Sequence, residues 1–128
     1  MTAITLLDNA LALLATTRAL SPEYVQYALP LINILLAETA PYDNSIRAAK
    51  GLAEAQDAPE ITALSDTLPA QPELCAAALA YGLCARLLLN EDDMARMAYF
   101  NNAYISALED AARFVPAAVT DVYGGDAQ

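Results

Sequence analysis

The residues with chemistry to offer are few and scattered. The densest group of ligating side chains is Glu91-Asp92-Asp93. A carboxylate metal site needs ligands that converge from several elements, or a spaced loop with Gly at its sharp turn. Three consecutive acids ahead of an apolar segment instead suit a helix start, where the dipole stabilises negative charge. Cys75 and Cys84 are nine residues apart. On one helix, nine steps span about 13.5 Å along the axis, too far for a disulfide. The chain has no His, which removes the commonest general base, the imidazole-activated thiol and the usual zinc set. No phosphate-cradling GxxxxGK[ST] or GxGxxG run occurs. The expectation is therefore no catalytic residue, no cofactor, no metal and no small-molecule substrate. The two thiols read as small apolar residues in a reducing compartment.

Seven Tyr and no Trp supply most of the aromatic surface. Tyr24, Tyr27, Tyr81 and Tyr104 fall at helical core positions, as do Met94 and Met97, and are read as packing. Tyr42, Tyr99 and Tyr123 do not, and Tyr is enriched at interfaces.

Four helical segments must position these residues. The first, about 3–16, carries Ile4, Leu7, Leu11 and Leu14 at the helical period, with Thr5 and Asp8 at capping-box spacing. The second opens on Ser21-Pro22-Glu23, which combines a cap, a preorganised first turn and a charge suited to the dipole. Its apolar face reads Tyr24, Tyr27, Leu31, Ile34 and Leu35; Pro30 should kink it and Pro41 should end it. The third, about 72–90, is apolar nearly all round and should be the central helix, with Gly82 permitting a close crossing. The tight turn Asn90–Asp93, with Asp92 as cap, leads into the fourth helix, about 93–114, closed by Pro116. The third and fourth segments then form an antiparallel hairpin.

Between the second and third segments, residues 41–72 hold four Pro, one Gly and, from Glu54 to Glu73, five acids with no base. This predicts a long loop or arm, with a short helix about 44–49 and Ile61–Leu64 as an extended stretch. Connections this long inside a small domain usually serve a function. The tail, 115–128, reads as flexible. Its alternation through Val119, Val122 and Tyr123 suits a short strand that pairs only with another chain, or a frayed end.

Composition agrees. The 128 residues make one domain, 1–128, with 29 Ala and 20 Leu against 10 Val plus Ile, a balance that favours helix. The fold class expected is all-α: a four-helix orthogonal or bundle-like domain with a long central arm. Sixteen acids against six bases give a net charge of −10, which disfavours both nucleic-acid binding by phosphate neutralisation and an anionic membrane surface. No apolar run is long enough to cross a bilayer, the first residues lack a basic leader, and the expected location is the cytosol.

The order of segments resembles a known group. Tyr24-Val25-Gln26-Tyr27-Ala28-Leu29-Pro30-Leu31-Ile32-Asn33 is similar to the second helix of small virion proteins from tailed-phage and prophage structural clusters. Asn44-Ser45-Ile46-Arg47 and Ile61-Thr62-Ala63-Leu64-Ser65-Asp66-Thr67-Leu68-Pro69 follow in the same order. Ala80-Tyr81-Gly82-Leu83-Cys84-Ala85-Arg86-Leu87, Asp92-Asp93-Met94-Ala95 and Phe100-Asn101-Asn102-Ala103-Tyr104 complete the likeness, which covers about residues 22–123. These are packing and turn patterns, and the chain departs from them in its Ala-rich third helix. The resemblance implies a head–tail connector, or neck, protein: a structural subunit that forms a ring with other copies and meets the portal or tail-completion proteins. DNA would pass through the channel without specific binding, and the protein would end in the virion neck. The loop and the terminus would mediate contact, which nominates Tyr42, Ile61, Leu64, Leu68, Val119, Val122 and Tyr123. The rival reading is a small acidic cytosolic adaptor that binds one basic partner.

Overall fold

The computed structural model describes residues 1–55 and 59–126. Helix α1 spans Ala3–Leu13, α2 Pro22–Ala49, α3 Pro72–Cys75, α4 Ala78–Leu87 and α5 Met94–Asp126, with a 3₁₀ turn at Leu88–Asn90. The fold is all-α. Its only sheet-like pairing among the described residues is one antiparallel bridge between Thr2 and Thr67.

The centre is α4, as its all-round apolarity predicts. Leu79, Leu83 and Cys84 are fully buried, and Ala78, Ala80, Ala85 and Leu87 nearly so. Helix α1 covers it with Leu6, Leu7 and Leu11, α2 with Ile32, Leu35 and Leu36, and α5 with Phe100, Tyr104 and Leu108. Each fully buried Leu contributes about 1.5–3 kcal/mol relative to exposure. Gly82 lies where α2, α4 and α5 meet, as the close-crossing reading requires. The Cys84 thiol donates to the Ala10 carbonyl on α1 (3.2 Å), and burial pushes its pKa up to about 12.

Two helix ends show the same device with different residues. After α2, Gly51 takes φ +76°, its N–H reaches the Ala48 carbonyl (3.1 Å), and Leu52 N–H reaches Arg47 (2.8 Å). After α1, Ala15 takes φ +59°, with Ala15 N–H on Ala12 (3.0 Å) and Thr16 N–H on Leu11 (2.9 Å). This is the left-handed helix stop that Gly fills without strain and that strains Ala. Ala15→Gly should therefore stabilise the fold by about 0.5 kcal/mol, the relieved strain exceeding the entropy a Gly adds to the unfolded chain. Chemical denaturation measures it.

Several sequence expectations need correction. The α1 cap is Thr2, whose hydroxyl accepts from Thr5 N–H (3.3 Å), not Thr5. The α5 cap is Asp93, which accepts from Arg96 N–H (3.1 Å), not Asp92. Pro41 does not end α2, which absorbs the expected short helix and runs to Ala49. Proline removes one helix bond and crowds a carbonyl. For Pro30 and Pro41 those carbonyls belong to Gln26 and Ala37, both on exposed residues that water can serve. Burial of Ile46 and the bonds of Asp43 then hold the helix beyond Pro41. The third segment is broken at Ala76–Ala77, where Ala77 leaves helical geometry (φ −145°, ψ −45°). Pro116 does not close α5, and the expected flexible tail or strand is helix as far as Asp126; Ala111, Ala112, Ala117 and Ala118 flank Pro116 and favour helix. Residues 127–128 of that tail lie outside the described residues.

The connecting loop is shorter than expected, 50–71, and along much of its length it is pinned. The Asn33 side chain clamps the Ile61 backbone, accepting from its N–H (2.8 Å) and donating to its carbonyl (3.0 Å). Ile61–Leu64 is therefore not an extended arm. Asp66 turns the chain back by accepting from Thr62 N–H, Thr62 Oγ1 and Ala63 N–H (2.9, 3.1 and 3.0 Å). Ala3 N–H and Ile4 N–H then bond to Asp66 and Leu64 carbonyls (2.9 and 2.8 Å).

Lys50 Nζ, just past α2, donates to Gln71 Oε1 (3.0 Å) and Glu73 Oε1 (2.8 Å). That bond holds the Glu73 carboxyl below its ordinary 4.5. A carboxyl depressed on folding contributes stability above its unfolded pKa and loses it as the pH falls through the folded one. Wild type should therefore melt higher than Glu73→Gln by a constant margin above pH 4.5, and the margin should vanish on further acidification. Thermal melts across that range check it.

Candidate functional site

Helix α2 has two adjacent apolar stripes, and the fold buries the less obvious one. Ala28, Ile32, Leu35, Leu36, Thr39, Asp43 and Ile46 face inward. Ala28 admits a close neighbour, Thr39 satisfies its hydroxyl on the Leu35 carbonyl (2.8 Å), and Asp43 finds two donors. Of the face read from the sequence as core, Leu35 is fully buried and the rest lies at the edge. Tyr27 is 50% exposed and Ile34 47%, while Tyr24 and Leu31 are half-buried. Helix α5 is rotated likewise: Met97, Phe100, Tyr104 and Leu108 turn inward, and Met94 and Ile105 remain exposed.

This rotation leaves an apolar groove of about 400 Å³ between α2 and the turn that joins α4 to α5. Tyr24, Tyr27, Pro30 and Leu31 form one wall, and Leu87 and Leu89 the other. Leu89, on the 3₁₀ turn, is 60% exposed. It also borders a second hollow of about 310 Å³ toward α5, with Ala85, Met97 and Ala98, so the two hollows share one ridge. Glu23 and Glu91 stand at the rim of the first, and Arg86 lines both.

The polar groups of the groove are braced. Tyr24 donates its phenol proton to Glu91 Oε1 (2.7 Å), linking α2 to the turn. Burial, and then this bond to a carboxylate, push the Tyr24 phenol up to about 12. Arg86 pairs with Glu38, and the same carboxylate accepts from Tyr104 OH (2.9 Å). Burial and Glu38 raise the Tyr104 phenol well above its ordinary value. A wider hollow of about 720 Å³ over the α1–α2 loop is lined in part by the Arg18–Asp8 ion pair (2.7 Å). It lacks the exposed Tyr and Leu of the groove.

All six Lys and Arg side chains are paired within the chain. Arg18 meets Asp8, Arg47 meets Asp43, Lys50 meets Glu73, Arg86 meets Glu38, Arg96 meets Asp93 and Arg113 meets Asp110. Glu23, Glu91 and Asp92 have no cationic partner among the described residues. Nor do three His, Cys, Asp or Glu side chains converge there to hold a metal ion, and no helix is long and apolar enough to cross a membrane.

The residues nominated from the sequence are dispersed. Ile61 (3% exposed) and Leu68 (5%) belong to the chain's own core, and Leu64 packs against it. They stabilise this fold: Asn33 clamps the Ile61 backbone, Ile4 N–H bonds to the Leu64 carbonyl and Leu68 N–H to that of Met1. Tyr42 stays at the surface of α2. Val119, Val122 and Tyr123 lie in the last turns of α5. The sequence assigns Tyr24, Tyr27 and Leu31 to the core; Tyr24 and Leu31 do pack against its edge, and Tyr27 lies outside. The available signal was α2 itself: it carries more apolar residues than one buried stripe can hold. No family model, no curated protein and no solved structure matches the chain.

Proposed function

We propose that the chain is a structural subunit of the head–tail neck of a tailed phage or prophage, acting by assembly and not by turnover. The observation that carries this reading is the uncovered groove, where a small folded chain leaves Tyr27 and Leu89 exposed. Exposed apolar surface rimmed by polar groups marks a contact site. The order of segments from Tyr24 to Tyr104, with its likeness to neck proteins, supplies the biological setting.

On this reading copies form a ring by joining two different patches head to tail. Tyr42 and the end of α5 remain the candidates for contacts between copies, and the groove for contact with the portal or tail-completion proteins. A net charge of −10 keeps a channel wall from binding the DNA that passes through it. The subunit is made in the bacterial cytoplasm and ends in the virion.

The pairing of every base favours a second reading, a small acidic adaptor with one basic partner. Deleting the gene from the phage or prophage that encodes it separates the two. The neck reading expects DNA-filled heads without tails, together with free tails. Normal infectious particles would overturn it.

A further inference from the structure

We propose that the groove between Tyr27 and Leu89 docks an amphipathic helix of a different protein, with apolar anchors flanked by Lys or Arg, and not a second copy of this chain. The inference rests on the groove's chemistry and stands apart from the neck reading.

Shape comes first. Tyr24, Tyr27 and Leu31 follow the helical period along α2 and make one wall, with Leu87 and Leu89 opposite. Walls of this kind accept a third helix between them. Anchors at i, i+4 and i+7 suit such a trough, and about 400 Å³ lies within the range of pockets that bury a bound group, ~300–1,000 Å³.

Charge selects the partner. The rim presents Glu23 and Glu91, with Asp92 beside them, and Arg86 is neutralised by Glu38. Glu91 accepts the Tyr24 proton through Oε1, and its Oε2 makes no hydrogen bond among the described residues. Each Lys and Arg of a second copy already faces a carboxylate of its own, though Arg96 and Arg113 do so in exposed pairs that hold weakly. Exchanging partners would only strip another carboxylate, with no net gain. A second copy also brings ten further negative charges, and like charge set against like charge is costly at an interface. A cationic segment from another chain answers both the apolar trough and its acidic rim.

The test uses the full chain, isotope-labelled, and three short helical peptides followed by NMR. One carries Leu anchors at i, i+4 and i+7 with Lys flanks, one the same anchors with Glu flanks, and one Ala in place of the anchors with Lys flanks. The first should shift the resonances of Tyr27, Leu31 and Leu89 and bind at least about tenfold tighter than either control, a margin of ~1.4 kcal/mol. Its affinity should fall with added salt, as screened attraction does. Leu89→Asp should weaken it at least about tenfold; that side chain is 60% exposed, so the fold is spared. Glu23→Gln with Glu91→Gln should erase the preference for Lys over Glu flanks while leaving binding of the anchors.

Equal binding by the Ala-anchored peptide would mean non-specific attraction to an acidic protein and would overturn the proposal. So would shifts confined to another face, or no binding up to about 1 mM, the level of a contact worth ~4 kcal/mol. Self-association of the chain that Leu89→Asp abolishes would assign the groove to a second copy and equally overturn it. None of these outcomes depends on whether heads and tails join.

Discussion

Asp43→Ala is expected to cost the fold about 3 kcal/mol. Asp43 sits inside α2 and is only 3% exposed. One carboxylate oxygen accepts from Gln71 N–H at 2.7 Å, and the other from Arg47 Nε at 2.7 Å. Truncation leaves a backbone N–H and a guanidinium without partners in a site that water reaches poorly. Breaking a fully buried pair costs ~3–5 kcal/mol; Arg47 is partly exposed (24%) and can recover some hydration, which places the value at the low end. The same change frees the start of α3, because Gln71 is its N-terminal flank. Asp43→Asn keeps an acceptor for Gln71 but loses the charge, and should cost about 1–1.5 kcal/mol. Urea denaturation followed by far-UV circular dichroism measures both. Limited proteolysis should show the 59–71 loop cut sooner in the Ala variant than in wild type. A loss below about 1 kcal/mol for the Ala variant would mean that Asp43 does not tie the loop to α2.

Gly82→Ala sets two effects against each other. On helix propensity alone, the change should gain about 1 kcal/mol in a helix interior. At this crossing, a Cβ on Gly82 would lie 2.8 Å from Leu35 Cδ2 and 2.9 Å from Tyr104 Cδ1 and Cε1. Leu35 is fully buried with little room to turn, and the Tyr104 ring is tethered through its hydroxyl to Glu38. Overpacking of this kind costs ~1–3 kcal/mol, so packing wins and the net change should be a loss of about 1–2 kcal/mol. Gly82→Val adds bulk in the same direction and should lose about 3 kcal/mol or more. Tyr104→Phe in the Gly82→Ala background unhooks the ring and should return part of the loss. Denaturation midpoints for the three variants decide it. A stabilised Gly82→Ala would show that the three helices meet more loosely at Gly82.

What could be read from the sequence follows where local chemistry and tertiary packing agree. Ala and Leu predominate over Val and Ile, and the fold is helical. Leu79, Gly82 and Leu83 lie in a stretch without a polar face, and α4 is central. Pro22 and Glu23 open α2 as read, although the Ser21 hydroxyl pairs with Thr16 Oγ1 (2.7 Å) and does not cap the helix. The misreadings occur where tertiary structure overrides a local rule. Pro41 was read as a stop, but its freed carbonyl sits on an exposed residue while Asp43 and Ile46 just beyond it are buried. The true stop is Gly51, whose left-handed φ a side chain would resist. Ile61 reads as an extended, available residue until Asn33, twenty-eight positions earlier, clamps its backbone. Only the three-dimensional contact reveals that clamp.

The groove was hidden for a related reason. Amphipathic reading assumes that the most apolar stripe faces inward. In α2 the buried stripe includes Ala28, Thr39 and Asp43, and Tyr27 and Ile34 stay outside. Ile32, Leu35, Leu36 and Ile46 complete that buried stripe, and an apolar buried stripe beside exposed apolar residues is the pattern of a helix that serves two interfaces, one within the chain and one beyond it.

The most direct test of the proposed neck reading is the mass, by light scattering after size exclusion, of the full chain mixed with the portal protein which that reading assigns to it, for wild type and for Leu89→Asp. The account predicts that wild type co-elutes with the portal in a fixed stoichiometry, and that Leu89→Asp, folded to the same extent by circular dichroism, elutes alone. A wild-type chain that remains a monomer and ignores the portal, or a Leu89→Asp variant that joins it as well as wild type does, would contradict it.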